Sequence, residues 1–323
     1  YPLIDGDEAF EAMAHAMLQA KDHIYLTGWC IAPHVFLVRN RETTKNLLSY
    51  RLDNIFQTVA KRGVKIYIIL WHETTLAGMN LNTVLTSRYL HSLHPNIHVI
   101  LHPPSTPFMW THHQKTLIVD DVIGFCGGLD LSWGRYDNSN HTLIDNNQLM
   151  LTWPGNDYYN GAVNRCVVCK NKLDSFRDGF DRDRYPRLPW HDIHCVVTGS
   201  LARDLASNFI GRWNHHELSS ITLKIQHNDD EEIISLKGGA SNMIDNASRM
   251  KLYHSYLPSW VNLINIKGQV LRSISSWSGS MRTEQSIHNG FIRLIQQAQY
   301  YIYIEVCITY IIFTSSFTHT YEY

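Results

Sequence analysis

Residues 110–137 read W-T-H-H-Q-K-T-L-I-V-D-D-V-I-G-F-C-G-G-L-D-L-S-W-G-R-Y-D, and this stretch decides how the rest of the chain is interpreted. Within it His113, Lys115 and Asp120 have the spacing H-x-K-x-x-x-x-D. Side chains two residues apart on an extended backbone project to the same side, so an imidazole and an ammonium lie next to each other. Such a pair fits a phosphate group.

The chemistry of phosphodiester cleavage requires a nucleophile and fixed positive charge near the non-bridging oxygens, where negative charge collects in the transition state. Histidine supplies the nucleophile at neutral pH, because its neutral form is well populated and a phosphorylated imidazole is readily cleaved again. This chemistry requires no metal, and we expect neither a metal ion nor another cofactor. The pattern H-x-K alone is a weak signal, since such pairs in strands are usually ordinary surface or core groups.

Two apolar runs inside the stretch, T-L-I-V and V-I-G-F-C, have the pattern of strands buried on both faces. Asp120 and Asp121 lie between them and predict a tight turn. Upstream, helical apolar stripes at residues 10–18 and 52–60 alternate with strand-like runs at residues 23–29 and 64–71. This alternation is typical of an α/β fold. A last helical stripe at residues 287–298 leads to a strand predicted from Tyr300.

The composition is that of a globular protein with a substantial core, since 44% of the 323 residues are hydrophobic and 18% are charged. A formal net charge of -1 provides no overall attraction to nucleic acid or to anionic lipid. No run of eighteen apolar residues predicts a membrane span. The C-V-V-C at Cys166 and Cys169 has no second pair at zinc-ligand spacing, so we interpret the six cysteines as reduced thiols of an intracellular protein.

His191 and His194 border another predicted strand and are a possible metal-binding pair. No further metal-ligating residues cluster near them in the sequence. We therefore interpret both as ordinary histidines at the edge of a strand.

Residues 110–137 as a whole resemble the HKD motif of the phospholipase D superfamily, including the W-x-H-H-x-K and G-G-x-D-L-x-x-G-R-Y-D that eukaryotic phospholipases D carry. Further segments resemble that family in the same order along the chain: D-H-I-Y-L-T-G-W, L-H-P-N-I-H-V, P-R-L-P-W-H-D, A-R-D-L-A-S-N-F-I-G-R-W-N and E-Q-S-I-H-N-G-F. The resemblance implies an α/β fold of two similar sandwich lobes, each supplying one HKD motif to a shared active site. We expect residues 1–186 to form the first lobe and residues 187–323 an incomplete, truncated second lobe.

The resemblance also implies a role for each matching residue. His113 is expected to be the nucleophile, Lys115 to hold phosphate oxygens, and Asp120 to be a structural partner that fixes the motif. Gly127 and Gly128 would let the backbone come close to the site.

Three more residues complete the expected site. Arg135 and Asp137 of G-R-Y-D are expected to form a supporting ion pair, with an ordinary surface ion pair as the equal alternative. Glu305, in a Y-I-E that matches the family's Y-I-E-N-Q-F-F, is expected to line the pocket.

The chain departs from the family's pattern directly after Glu305, where it continues V-C-I-T-Y-I-I-F. It contains no second H-x-K-x-x-x-x-D, and it begins with Tyr1 instead of methionine. We therefore expect a truncated or fragmentary form that lacks the second half-site and has little activity by itself.

The activity implied by the resemblance is hydrolysis of phosphatidylcholine to phosphatidic acid and choline through a phosphohistidine. The implied partners are a phospholipid membrane surface and phosphatidylcholine, with regulation by phosphoinositides and a peripheral, cytoplasmic location; no nucleic acid is expected. One alternative is a one-motif phosphodiesterase that builds its site across a dimer, although such proteins are much shorter than this chain. Another is a non-catalytic remnant that only binds lipid or partners.

Overall fold

The computed structural model describes residues 1–39, 43–73, 81–102, 111–146, 152–163, 177–221, 235, 245–279 and 282–304. A seven-stranded sheet in the order β1-β7-β6-β5-β2-β3-β4 forms its centre. Strands β2, β3 and β4 run parallel, and the remaining neighbours pair antiparallel. The strands are β1 (Pro2–Ile4), β2 (His23–Gly28), β3 (Lys65–Trp71), β4 (Ile97–His102), β5 (Thr116–Val119), β6 (Ile123–Gly127) and β7 (Ile193–Thr198).

Helices cover this sheet, and further helices follow its last strand along the chain. They are α1 (Asp5–Leu18), α2 (Leu52–Ala60), α3 (Thr83–Leu93), α4 (Ser200–Ile221), α5 (Asn246–Ser255) and α6 (Ser286–Gln297). A two-stranded ladder of β8 (Ser273–Ile274) and β9 (Glu284–Gln285) lies before α6, and 3-10 turns occupy Thr43–Tyr50, Gly155–Asp157 and Ser276–Ser278.

Both faces of the sheet are buried along its central strands β2, β3 and β5, which explains why these strands are apolar at successive positions. In β5, Leu117 and Val119 belong to the core under α1 and α2, whereas Ile118 faces α4 together with Phe209. Gly124 in β6 allows α4 to approach, because a Cβ there would lie 2.9 Å from Leu205 Cδ1. The predicted α/β sandwich is confirmed for this sheet and its helices.

The strand and helix that follow the expected lobe boundary belong to this same sheet. β7 lies between β1 and β6, so residues 193–198 pair with both the beginning and the middle of the chain. The expected division between residues 1–186 and 187–323 therefore separates neighbouring strands, and the two-lobe organisation stays a prediction. The sheet extends past residue 187 because β7 fills the gap between β1 and β6.

The last described segment is largely exposed. Helix α6 forms as its apolar spacing predicts, but none of its residues is buried, and Phe291 is 62% exposed. The strand expected from Tyr300 is wrong for the described residues, since residues 301–304 form no strand and Tyr300 is 93% exposed. A strand requires a pairing neighbour, and the described part of the chain provides none at this position.

No helix among the described residues combines the length and apolar character that crossing a bilayer requires. Cys30, Cys126 and Cys195 are free thiols. The remaining cysteines, Cys166, Cys169 and Cys307, lie outside the described residues.

Candidate active site

Lys115 stands immediately before β5, where the chain enters the buried sheet. Its side chain is 7% exposed, and its ammonium Nζ lies 3.1 Å from Asp130 Oδ2. The same ammonium donates a hydrogen bond of 3.1 Å to the backbone carbonyl of His113. An ammonium has three N–H groups, so one is left for a ligand after these two contacts with described residues.

His113 is exposed at the surface beside this ammonium, with its ring centroid 5.5 Å from that of Trp29. Although part of the ring meets solvent, the surrounding protein desolvates it, and this burial, with the charge of Lys115, lowers the pKa of His113 to about 4. The imidazole is therefore neutral at pH 7. A neutral imidazole next to a fixed positive charge is the arrangement that a nucleophilic attack on phosphorus requires.

Asp130 is a site residue that the sequence reasoning did not single out. It is 3% exposed, and its Oδ1 accepts a hydrogen bond of 2.8 Å from the backbone N–H of Trp29. Because a buried carboxylate requires a charged partner, Asp130 fixes the position of Lys115. The sequence signal that could have identified Asp130 is the presence of an acidic residue inside the largely apolar run G-G-L-D-L-S-W.

Asp120 lies at the opposite end of β5, roughly 15 Å along the strand from Lys115. Its Oδ1 accepts hydrogen bonds from the backbone N–H groups of Asp22 and His23, each at 2.9 Å. Its Oδ2 accepts from the Lys21 N–H at 2.9 Å and from the Tyr256 hydroxyl at 2.8 Å. This geometry supports a structural role for Asp120, away from the reacting atoms.

The turn between β5 and β6 has the tight form that two consecutive aspartates predict. Asp120 and Asp121 have φ angles of 55° and 56°, and the Val122 N–H donates to the Val119 carbonyl at 3.0 Å. Positive φ at both central residues is the form of a type I′ turn, and the pairing of Val119 with Ile123 leaves Val122 as one extra residue after it. The turn therefore holds the Asp120 carboxylate next to the segment that enters β2.

Gly127 and Gly128 permit a close approach of the chain that leads into β7. A Cβ on Gly127 would lie 2.5 Å from the Cα of His194, and one on Gly128 would lie 2.1 Å from Asp192 Oδ1. Both distances are shorter than any side chain tolerates. The two glycines thus let the start of β7 lie against the end of β6, where the Gly127 N–H donates to the Lys115 carbonyl at 3.3 Å.

The expected pair of Arg135 and Asp137 is not formed. Asp137 Oδ1 instead pairs with Arg187 at 2.5 Å, and both side chains are buried. The Arg135 guanidinium stacks over the Trp190 ring at 4.3 Å and lies 3.8 Å from the sulfur of Cys30. The prediction was wrong because each residue has other partners, Arg187 for Asp137 and Trp190 with Cys30 for Arg135.

Buried neutral histidines surround the Lys115 end of β5. His194 in β7 is 1% exposed, and burial together with the charge of Lys115 lowers its pKa to about 3. Burial also lowers the pKa of His112 well below its ordinary value, and neither ring nitrogen of His112 meets a hydrogen-bond partner among the described residues. Its ring stacks on His102 at 4.8 Å.

The remaining residues considered for ligand binding are Glu305, His191 and His194. Glu305 lies outside the described residues, so its expected contact with the pocket stays a prediction. His194 belongs to no group of three or more metal-ligating side chains among the described residues, whereas His191 meets Asp5 and His141 in a cluster that has metal-ligand spacing. The sequence reasoning missed that cluster because its members are far apart along the chain.

An imidazole and an ammonium at the end of the interior strand β5 are groups that can bind a phosphoryl group. Comparison with known proteins identifies the family. The family model described as "Phospholipase D" matches residues 16–321. The chain belongs to the phospholipase D family, as the motif predicted.

The curated relatives are eukaryotic phospholipases D. Phospholipase D A of Dictyostelium discoideum is 40% identical over 303 residues, which cover 94% of this chain and 21% of that protein. Phospholipase D zeta 2 of Arabidopsis thaliana is 31% identical, with 94% of this chain and 35% of that protein covered. The chain therefore spans about a fifth to a third of the length of these relatives. Among solved structures, Nuc from Salmonella typhimurium matches 66% of this chain and 95% of its own, with 14% identity and a TM-score of 0.35.

Proposed function

We propose that this chain supplies the nucleophile half of a phospholipase D active site, which hydrolyses phosphatidylcholine to phosphatidic acid and choline. The observation that carries the proposal is the neutral, exposed imidazole of His113 next to Lys115, whose ammonium is held by the buried Asp130. Membership of the family supports a phosphodiester in a phospholipid as the substrate.

In the proposed reaction a ring nitrogen of His113 attacks phosphorus and the bond to the choline oxygen breaks. The remaining N–H of Lys115 donates to a non-bridging oxygen and stabilises the charge that collects there. Choline leaves with a proton from the second half-site, and water then cleaves the phosphohistidine to release phosphatidic acid. His113 is regenerated as the neutral imidazole.

The partners in this proposal are a phospholipid surface and phosphatidylcholine itself. The protein would act peripherally on membranes from the cytoplasm and would respond to phosphoinositides, as the family resemblance implies. Nucleic acid is not proposed as a substrate, because a formal net charge of -1 provides no overall attraction to it.

A second candidate is a phosphodiesterase site shared between two copies of the chain. It is favoured by the single H-x-K-x-x-x-x-D, because two copies together would supply two motifs. The two candidates differ in how activity depends on protein concentration, since only a shared site requires dimerisation.

The test compares choline release from phosphatidylcholine vesicles by the chain 1–323 and by a chimera. The chimera continues residue 304 with the corresponding carboxyl-terminal part of Dictyostelium discoideum phospholipase D A. We expect the chimera to release choline. Choline release by the chain alone should be slower by on the order of a hundred- to ten-thousand-fold, which is the usual effect of losing general acid catalysis. His113→Asn should inactivate the chimera.

Other outcomes of this experiment would support the shared site or contradict the proposed activity. Comparable rates from the two proteins, with the rate per chain rising as protein concentration rises, would support the shared site. A folded chimera that binds vesicles without releasing choline would indicate a lipid-binding remnant and contradict the proposed activity.

A further inference from the structure

Three side chains from distant parts of the sequence meet at the start of α1: Asp5, His141 and His191. One potential ligand atom from each lies within 4.8 Å of those from the other two. Asp5 Oδ1 is 2.7 Å from His191 Nδ1, and Asp5 Oδ2 is 3.7 Å from His141 Nε2. Two ligands of a tetrahedral ion with bonds near 2.0–2.1 Å are roughly 3.3 Å apart, so the cluster is close to a coordination shell.

The donor set identifies the kind of ion. One carboxylate and two imidazoles match the ligands that Zn²⁺ takes in proteins, with a water completing four-coordination. No thiolate or thioether takes part, and oxygen-preferring ions such as Mg²⁺ and Ca²⁺ favour carboxylates and carbonyls over imidazole. A divalent transition ion, zinc first, is therefore the ligand that this cluster fits.

Asp137 is positioned to orient one of the ligands. Its Oδ2 lies 3.2 Å from His141 Nδ1, on the side of the ring opposite the Nε2 that faces Asp5. A carboxylate there favours the tautomer with the proton on Nδ1, which leaves the Nε2 lone pair free for a metal. His141 Nδ1 is buried without a well-aligned hydrogen bond, so a small rotation of the ring on metal binding would improve this contact.

The backbone holds two of the three ligands in place before any ion binds. Asp5 is 1% exposed and has a φ of 61°, and His141 has a φ of 44°. Such left-handed conformations are strained for a non-glycine residue and persist where the surrounding structure determines them. Asp5 Oδ1 also accepts from the Asp192 N–H at 3.1 Å, which fixes the direction of the carboxylate. His191 is exposed and leaves the cluster open to solvent.

We propose that Asp5, His141 and His191 bind one Zn²⁺ as a structural site that includes neither His113 nor Lys115. The ion would join the start of α1 to two segments of the chain, the one after G-R-Y-D and the one that leads into β7. An ion that binds only the folded state raises its stability.

The test uses the whole chain 1–323 after removal of metal with a chelator. Cys166→Ser and Cys169→Ser are made in the background, because C-V-V-C is an independent source of zinc affinity. We expect one Zn²⁺ per chain by dialysis and elemental analysis, with a rise in Tm of about 5 °C at zinc well above Kd. Both effects should be absent in His191→Gln and in His141→Gln.

His254→Gln is the matched control, because His254 is exposed in the last turn of α5. It should keep both the zinc and the shift in Tm. As a second readout, Co²⁺ should produce the strong visible absorption of a tetrahedral site in the parent and in His254→Gln only. Zinc binding that survives in His191→Gln and His141→Gln, or a parent whose Tm does not respond to zinc up to the millimolar range, would overturn the proposal.

Discussion

Polar side chains lie at both ends of β5, a strand of four residues, and they differ in how many hydrogen-bond partners they have. Asp120 at one end accepts hydrogen bonds from three backbone N–H groups and one hydroxyl. At the other end Lys115 has one carboxylate partner, Asp130, and the His113 imidazole meets no hydrogen-bond partner in the described part of the chain. A saturated polar group stabilises structure, whereas an unsaturated one remains available for chemistry. Substitution of Asp120 should therefore lower stability, whereas substitution of His113 or Lys115 should lower activity.

The largest expected effect is that of His113→Asn on turnover. Asparagine cannot form the phosphoenzyme, so choline release by the chimera should fall by about a thousandfold or more. The melting temperature should not change, because the His113 side chain is exposed. Choline release and thermal melting measure the two quantities, and activity within tenfold of the parent would contradict the assigned nucleophile.

Lys115→Arg should also lose activity, by on the order of a hundred- to a thousandfold. The buried space around Nζ is shaped by Asp130 and the His113 carbonyl, and a planar guanidinium would displace the donor from the phosphate. Lys61→Arg at an exposed position is the matched control and should behave as the parent. Near-native kcat in Lys115→Arg would exclude the proposed close phosphate contact.

Asp120→Asn tests the structural end of β5. An amide has one acceptor oxygen where the carboxylate has two charged ones, so the free energy of unfolding should fall by about 2–4 kcal/mol. Urea denaturation of the chain 1–323 measures this, with Asp204→Asn on the exposed face of α4 as control. Loss of turnover should follow the loss of folded protein. An unchanged urea midpoint would show that the four hydrogen bonds do not stabilise the fold.

The smallest expected effect per residue is acid destabilisation through the buried histidines near the Lys115 end. Burial lowers the pKa of His194 and of His216 to about 3, and lowers that of His112 well below its ordinary value. The unfolded chain takes up protons on these side chains near pH 6.5 and the folded chain does not, so stability falls as pH drops below about 6.5. Each histidine contributes at most ~1.4 kcal/mol per pH unit.

Urea unfolding at a series of pH values between 7 and 5 measures this slope. His216→Gln should reduce it, because glutamine does not titrate and His216 is buried in the fold. Stability that stays constant or rises toward pH 5 would disagree with the neutral state of these histidines.

Local patterns in the sequence were sufficient for the elements around the site. Helical spacing predicted α1, α2 and α6, and two aspartates between apolar runs predicted the turn at Asp120 and Asp121. These predictions hold because helix periodicity and turn geometry depend on residues close together in the chain. The strand expected at Tyr300 was wrong because a strand also requires a neighbour, which is a long-range condition.

The sequence by itself determined the α/β class, the family, and the placement of His113 and Lys115 where a loop enters a buried strand. Only the tertiary structure decided that Asp130 holds Lys115, that Asp137 pairs with Arg187, and that Asp5 meets His141 and His191. The physical reason is strand pairing: the pairing of β5 with β6 brings Asp130 near Lys115, and β7 inserts between β1 and β6. This long-range pairing brings residues from the beginning, middle and end of the sheet's sequence into contact, and no local period in the sequence encodes it.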